Sequence, residues 1–65
     1  MEHYKLVFID EQGNEESTQI ESDDLRYLTS EARDLQRILP KERKDDHCYY
    51  AVFDGITLIY SAYGY

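Results

Sequence analysis

Cysteine and glycine are scarce in this 65-residue chain, and their scarcity excludes several kinds of site. With only one cysteine, Cys48, the chain forms neither an intrachain disulfide nor a cysteine-based zinc cage. The absence of a disulfide favours a reducing cytosol as the compartment, so we expect a cytoplasmic protein. The three glycines, Gly13, Gly55 and Gly64, do not form a phosphate-binding loop.

Long apolar runs are also missing. The longest run, Leu6 to Ile9, is far too short to span a bilayer. The first five residues lack the basic and apolar regions of a signal peptide. Met1 is interpreted as a native start, so we expect a complete small gene product. The length predicts one domain over residues 1–65, with no membrane partner.

Basic residues are absent from residues 10–24, a segment with seven Asp and Glu residues that accounts for the whole net charge of −7. Such a segment favours docking on a basic protein surface with a fast, salt-sensitive on-rate. It argues against direct binding to nucleic acid. The predicted partner-binding carboxylates are Glu15, Glu16, Asp23 and Asp24. The alternative is that these acids are only solvated, as acids in turns and helix starts often are.

Two hairpins are predicted around one helix. Strands at His3 to Ile9 and Glu16 to Glu21 are joined by a turn at Gly13-Asn14, and the second strand carries Thr18 and Ile20 on one face. Residues 47–63 form the second hairpin, with Asp54-Gly55 as its two-residue turn. The predicted fold is therefore α+β, a single helix packed on one face of an antiparallel sheet in the order ββαββ.

The helix is predicted from about Asp23 to Leu39, with Ser22 as its N-cap and Pro40 as its stop. Lys41 to Asp46 is predicted to be a polar loop. Apolar residues spaced by three and four positions make one continuous stripe: Leu25, Leu28, Ala32, Leu35 and Leu39. This stripe is expected to pack on Tyr4, Leu6, Phe8, Ala51, Phe53, Ile56 and Leu58.

The predicted turn also assigns the residues of the second hairpin to faces, because side chains alternate along a strand. With Phe53 opposite Ile56, the helix covers the face that carries Tyr49 and Tyr60. The opposite face then stays open, and aromatic residues at an open face are typical of protein interfaces. Its predicted partner-binding residues are Tyr50, Val52, Ile59 and Tyr63, extended by Val7 and Ile9.

No residue pattern predicts a reaction, a cofactor or a metal site. His47 and Cys48 are adjacent in a predicted strand, so they point to opposite faces. Carboxylate pairs such as Asp23-Asp24 need a pocket that shifts their pKa values before they can act as a general acid or base. A domain this small offers no obvious pocket, so we expect a non-enzymatic protein without a cofactor.

The stretch from Thr18 to Leu25, TQIESDDL, enters the predicted helix between the two hairpins. It resembles a stretch in small phage-encoded inhibitor proteins of the anti-CRISPR kind, among them a type I-F protein of similar length and strand-strand-helix-strand-strand order. The resemblance implies a compact phage or mobile-element inhibitor. It assigns no binding residue, because that type presents basic residues to its target whereas this chain is acidic.

Three functions remain open. The leading expectation is a protein that binds and blocks a host defence or nucleic-acid-handling protein. The second is a homo-oligomer, such as a homodimer, that buries its open sheet face against its own copy. The third is a DNA-mimic or antitoxin-like protein whose carboxylates are themselves the epitope. Stacking of nucleic-acid bases on the sheet is disfavoured, because only Lys5 supplies a positive charge near those aromatics.

Overall fold

In a computed structural model that describes residues 3–65, two antiparallel hairpins form one four-stranded sheet; the predicted start at Met1 lies outside the described residues. The elements are β1 (Tyr4–Ile9), β2 (Glu15–Ser22), α1 (Leu25–Arg37), α2 (Lys41–Asp45), β3 (Tyr49–Asp54) and β4 (Thr57–Ser61). The strand order is β2-β1-β3-β4, with β2 and β4 at the edges. The predicted α+β fold, with a helix between two hairpins, is confirmed.

The first turn is organised by Asp10. Its Oδ1 accepts hydrogen bonds from the backbone N–H groups of Gln12 and Asn14, both at 2.9 Å. Gly13 takes a φ of +82°, which a residue without Cβ adopts at no steric cost. The Gly13 N–H also donates a hydrogen bond to the Asp10 carbonyl at 3.0 Å, so the chain reverses at Glu11-Gln12 and the predicted reversal at Gly13-Asn14 is two residues too late.

Two bulges interrupt the pairing of β2 with β1, because the Cα pairs skip Glu16 and Gln19. The bulge at Gln19 places Thr18 and Ile20 opposite adjacent residues of β1. Adjacent strand residues face opposite sides, so the prediction that Thr18 and Ile20 share a face is wrong.

Asp24, rather than the predicted Ser22, caps α1. The Asp24 carboxylate accepts a hydrogen bond from the backbone N–H of Tyr27 at 3.2 Å. Ser22 remains in β2, and its Oγ accepts a hydrogen bond from the Asp24 N–H at 3.0 Å. Two consecutive side-chain acceptors thus set the entry to the helix, which begins at Leu25. It ends at Arg37, two residues before the predicted end.

The segment predicted to be a polar loop contains the short helix α2, which follows Pro40. The fixed φ of proline suits the residue that leads into a helix, where the missing N–H costs no hydrogen bond. The Lys44 ammonium donates a hydrogen bond to the Arg37 carbonyl at 3.1 Å, which connects α2 to the C-terminal end of α1. Neither helix of the described residues is long and apolar enough to cross a membrane.

The turn of the second hairpin lies one residue later than predicted. Asp54 pairs with Thr57, so the two central residues are Gly55 and Ile56. Gly55 has a φ of +63° and Ile56 does not have a positive φ, as in a type II′ turn with glycine in its first central position. Ile56, predicted to lie in the core, is 98% exposed at the tip of this turn.

The pairing of β3 with β1 decides which face of the hairpin α1 covers. Leu6 pairs with Val52 and Phe8 with Tyr50, and paired residues share a face. A bulge at Ile59 then brings Tyr60 opposite Val52. The buried core under α1 consists of Tyr4, Leu6, Leu28, Ala32, Val52 and Ala62, with Ile20, Leu35, Tyr50 and Tyr60 packed against it.

The predicted core is thus right for β1 and for the middle of α1, but wrong for Leu25, which is 37% exposed, and for the second hairpin. Leu28 and Ala32 face the sheet, as predicted. Ala51 and Phe53 lie on the face away from α1, together with Val7 and Ile9. Leu58 is half exposed. Both faces of the second hairpin are apolar, so alternation alone does not identify the one that packs on the helix.

Candidate functional site

The predicted open patch of Tyr50, Val52, Ile59 and Tyr63 does not exist as one surface. Val52 is fully buried beneath α1, and Tyr50 packs against the same core. The physical reason is the pairing of β3 with β1, which turns these two residues towards the helix. Val52 is therefore inaccessible to a partner, and Tyr50 is only partly exposed.

The face of the sheet away from α1 is covered by its own side chains. Val7 and Ala51 are fully buried there, with Tyr49 and Phe53 packed against them. Lys5 extends along this face, since its ammonium lies 3.6 Å from a carboxylate oxygen of Glu15 and 5.9 Å from the Phe53 ring centroid. This face therefore forms a small second core.

Tyr63 and Ile59 remain accessible but lie in different places. Tyr63 meets the Tyr49 ring edge-on, with 5.8 Å between centroids, and its hydroxyl lies 2.7 Å from Nδ1 of His47. His47 has a φ of +64°, which is uncommon for a residue with a Cβ. Ile59 lies at the bulge of the edge strand β4.

The four predicted carboxylates are likewise divided between two ends of the sheet. Glu15 and Glu16 begin β2, whereas Asp23 and Asp24 follow its last residue. The six strand residues 17–22 lie between the two pairs, which are therefore roughly 20 Å apart. The Asp24 carboxylate is also engaged as the cap of α1. These four residues therefore do not form a single site.

One of the two ends contains an acidic cleft between the β1–β2 turn and α2. Its volume is about 400 Å³. Five carboxylates and one guanidinium line it, together with Gln12 and the buried Cys48. The charged residues are Asp10, Glu11, Glu16, Glu42, Arg43 and Asp46.

Arg43 and Glu16 form the wall shared by the sheet and α2. Their side chains form an ion pair at 3.7 Å, and Glu16 lies at one of the two bulges of β2. The Arg43 guanidinium lies 5.8 Å from the Phe8 ring centroid, within the range of a cation–π contact. Both charged side chains are about half exposed, so this pair orients α2 more than it stabilises the fold.

One carboxylate of the cleft, that of Glu16, also affects the pKa of the neighbouring Tyr50. Burial raises the pKa of the Tyr50 hydroxyl, the Glu16 carboxylate raises that pKa further, and Arg43 opposes the effect. The Asp10 carboxylate, which holds the turn through Oδ1, also lines the cleft. The site is therefore built from groups that have structural partners on one side and the cleft on the other.

Glu42 and Asp46 were not among the residues predicted to bind a partner. They are four residues apart, a spacing that places side chains on one face of a helix. The only signal was this spacing after Pro40, because a five-residue helix without apolar residues has no periodic pattern to detect. Once α2 is known to be helical, both carboxylates are expected on the same side.

Lone carboxylates distributed around a cleft match the ammonium and guanidinium groups of a basic protein. Within residues 3–65, the structure shows no group of three or more His, Cys, Asp or Glu side chains that could hold a metal ion. A smaller cavity of about 210 Å³ is lined by Gln36, Lys44, Cys48, Tyr63, Gly64 and Tyr65.

Comparison with known proteins gives no functional assignment. No protein-family model, curated protein or solved structure matches this chain.

Proposed function

We propose that this chain is a small, non-enzymatic, cytoplasmic inhibitor that binds a protein with a basic surface. The observation that supports this most directly is the acidic cleft between the first hairpin and the α2 region, which is lined by five acidic residues and one arginine. These carboxylates come from distant parts of the sequence, so their convergence is a property of the fold. The cleft has room for a lysine or arginine side chain of the partner.

A basic protein is the partner that fits both the cleft and the charge of the whole chain. With a net charge of −7, the chain attracts a positively charged surface over a distance and repels nucleic acid. At contact, carboxylates that accept hydrogen bonds from guanidinium groups add specificity. The expected targets are proteins that handle nucleic acid, including host defence factors, since these present basic surfaces.

Inhibition then follows from occupation of the surface that the target uses for nucleic acid. In this form the leading function and the DNA-mimic function coincide, because the carboxylates act as the epitope. The resemblance of Thr18 to Leu25 to phage-encoded inhibitors of the anti-CRISPR kind agrees with a phage or mobile-element origin, and that origin remains part of the proposal. Self-association through the open face is less favoured, because Val7 and Ala51 are already buried there.

The test compares three baits in an affinity capture from the lysate of the native host, read by mass spectrometry. The first is the wild-type chain. The second is a cleft variant with Glu11→Gln, Glu42→Gln and Asp46→Asn. The third is a control with Glu21→Gln, Asp23→Asn and Glu31→Gln. It also removes three negative charges, but from residues outside the cleft.

We expect the wild type and the control to capture the same basic protein and the cleft variant to lose it. The captured protein should also release its nucleic acid when the chain is added. The proposal is wrong if the cleft variant captures the same proteins as the wild type, or if both charge variants lose them equally. Equal loss would mean that net charge alone, and not the cleft, determines binding.

A further inference from the structure

The edge strand β4 is uncharged and exposes apolar side chains. It pairs only with β3, so one row of its backbone N–H and C=O groups has no strand beside it. Residues 56–61 contain no charged side chain. Leu58 is 48% and Ile59 41% exposed, and Ile56 extends the apolar surface at the turn. An uncharged, apolar edge of this kind is a template for another strand.

The opposite edge of the same sheet is protected against strand addition. β2 carries Glu15, Glu16 and Glu21, and two bulges interrupt its pairing with β1. Charged side chains and bulges are the usual means by which proteins block edge-to-edge association. The protection is therefore present on one edge and largely absent from the other, where a single bulge at Ile59 is the only such feature of β4.

We infer that β4 pairs antiparallel with β4 of a second copy of this chain, which extends the two sheets into one of eight strands. When the pairing is centred on the middle of β4, Leu58 and Ile59 of one copy lie close to those of the other. Apolar cross-strand pairs of this kind stabilise a sheet. The pairing also covers the backbone groups that β4 leaves unpaired.

The charge distribution selects a second copy as the occupant. Each chain carries a net charge of −7, so two copies associate only where their acidic regions stay apart. Pairing through β4 places the two acidic β2 strands at the outer ends, seven strand spacings or about 33 Å from each other. That distance is several times the screening length of about 8 Å at physiological ionic strength. A partner with a basic surface would instead be drawn to the acidic cleft.

The pairing closes on itself. Each copy contributes the same edge, so the contact is isologous, and the protected β2 edges prevent further strands from adding. The inference is independent of the proposed function, because the acidic cleft involves the β1–β2 turn and α2 and leaves β4 untouched. Either can fail without the other.

The first measurement is sedimentation equilibrium of the wild-type chain over a wide concentration range. We expect a concentration-dependent rise from the monomer mass of 7.8 kDa to twice that value, without larger species. Hydrogen exchange on the same samples should show slower exchange of the amides of Thr57–Ser61 in the dimer and unchanged exchange in Glu15–Ser22.

Two variants with equal net charge then locate the contact. Ile59→Glu places like charges near each other across the pairing and should raise the dimer dissociation constant by at least about tenfold. Gln19→Glu adds the same charge at the exposed bulge of β2 and should leave the dissociation constant within about twofold of wild type, because the outer edges are screened from each other. Circular dichroism shows whether each variant folds.

The inference is overturned by a wild-type chain that stays monomeric up to about 1 mM, beyond which association is too weak to matter. In that case the β4 edge is left for a strand of a different protein. Concentration-dependent protection in β2 instead of β4 would also overturn it. Because the exchange experiment uses the wild type, it decides the question even if Ile59→Glu does not fold.

Discussion

At the scale of single residues, Gln36 connects the helix to the second hairpin. Its side chain is buried, and both ends of the amide are used. Nε2 donates a hydrogen bond to the Cys48 carbonyl at 3.3 Å, and Oε1 accepts one from the Tyr50 N–H at 2.8 Å. These backbone groups lie where β3 begins, so one side chain replaces two hydrogen bonds that the sheet cannot supply there.

We predict that Gln36→Leu lowers the free energy of unfolding by about 2–4 kcal/mol, because it leaves one buried and one partly buried backbone group without partners. Urea unfolding measures the change. Gln12→Leu in the exposed first turn is the matched control and should change stability by less than about 0.5 kcal/mol. Equal effects of the two substitutions would show that the Gln36 hydrogen bonds do not stabilise the fold.

The two core tyrosines make stability depend on pH in the alkaline range. Burial raises the pKa of Tyr50, with Glu16 adding to it, and burial followed by Tyr65 raises the pKa of Tyr60. A raised pKa in the folded state means that the folded chain retains the proton longer than the unfolded chain. The resulting stability is complete below about pH 10 and is lost as the pH rises through the raised values.

We therefore predict that the thermal midpoint falls above about pH 10, and that Tyr60→Phe reduces this fall. The measurement is a series of melts from neutral to strongly alkaline pH for the wild type and the variant. Tyr27→Phe, at an exposed helix position, serves as the control and should follow the wild type. If Tyr60→Phe loses stability with pH as steeply as the wild type, the folded chain does not retain the Tyr60 proton.

At the scale of elements, the helix stripe was predictable and the second hairpin was not. Leu28 and Ala32 are four residues apart, a spacing that places them on one face of a helix, and both lie in the core. The sequence of the second hairpin is compatible with a turn at Asp54-Gly55 or at Gly55-Ile56, and these two positions differ by one residue. A shift of one residue changes the cross-strand partner of every residue in β4, and the bulge at Ile59 changes the faces once more.

The acidic site could likewise be predicted only in part. The acidic character of residues 10–24 is a matter of composition, so it was visible in the sequence. The contributions of Glu42 and Asp46 depend on α2, which is too short for a periodic signal. Their position in the same cleft as Glu16 depends on where α2 lies relative to β2, and no local pattern in the chain specifies that.

The helix stripe itself can be tested by a pair of leucines. Leu28→Ala should lower the free energy of unfolding by about 2–5 kcal/mol, because the side chain is fully buried in the core under α1. Leu25→Ala, where the side chain is partly exposed, should cost less than about 1 kcal/mol. A circular dichroism melt that is unaltered by Leu28→Ala would show that the stripe does not form the core.

At the scale of the whole molecule, charge and exposed apolar surface are separated. The acidic cleft lies at one end of the sheet, between the first turn and α2, and the uncharged edge strand β4 lies on the far side from β2. The two surfaces respond differently to salt, because screening weakens attraction to a basic partner and leaves apolar strand pairing intact. Such a molecule can form a dimer and present one acidic cleft on each copy.

The proposed function requires that the cleft directs the chain to a basic protein surface. Its most direct test is the association rate with the captured partner, measured by stopped flow from low to high salt for the wild type, the cleft variant and the equal-charge control. We predict that the wild-type and control rates fall steeply as salt rises. The cleft variant should associate more slowly at low salt and depend less on salt. If the wild-type rate is constant with salt, or if the cleft variant behaves like the control, the cleft does not direct the chain to a basic partner.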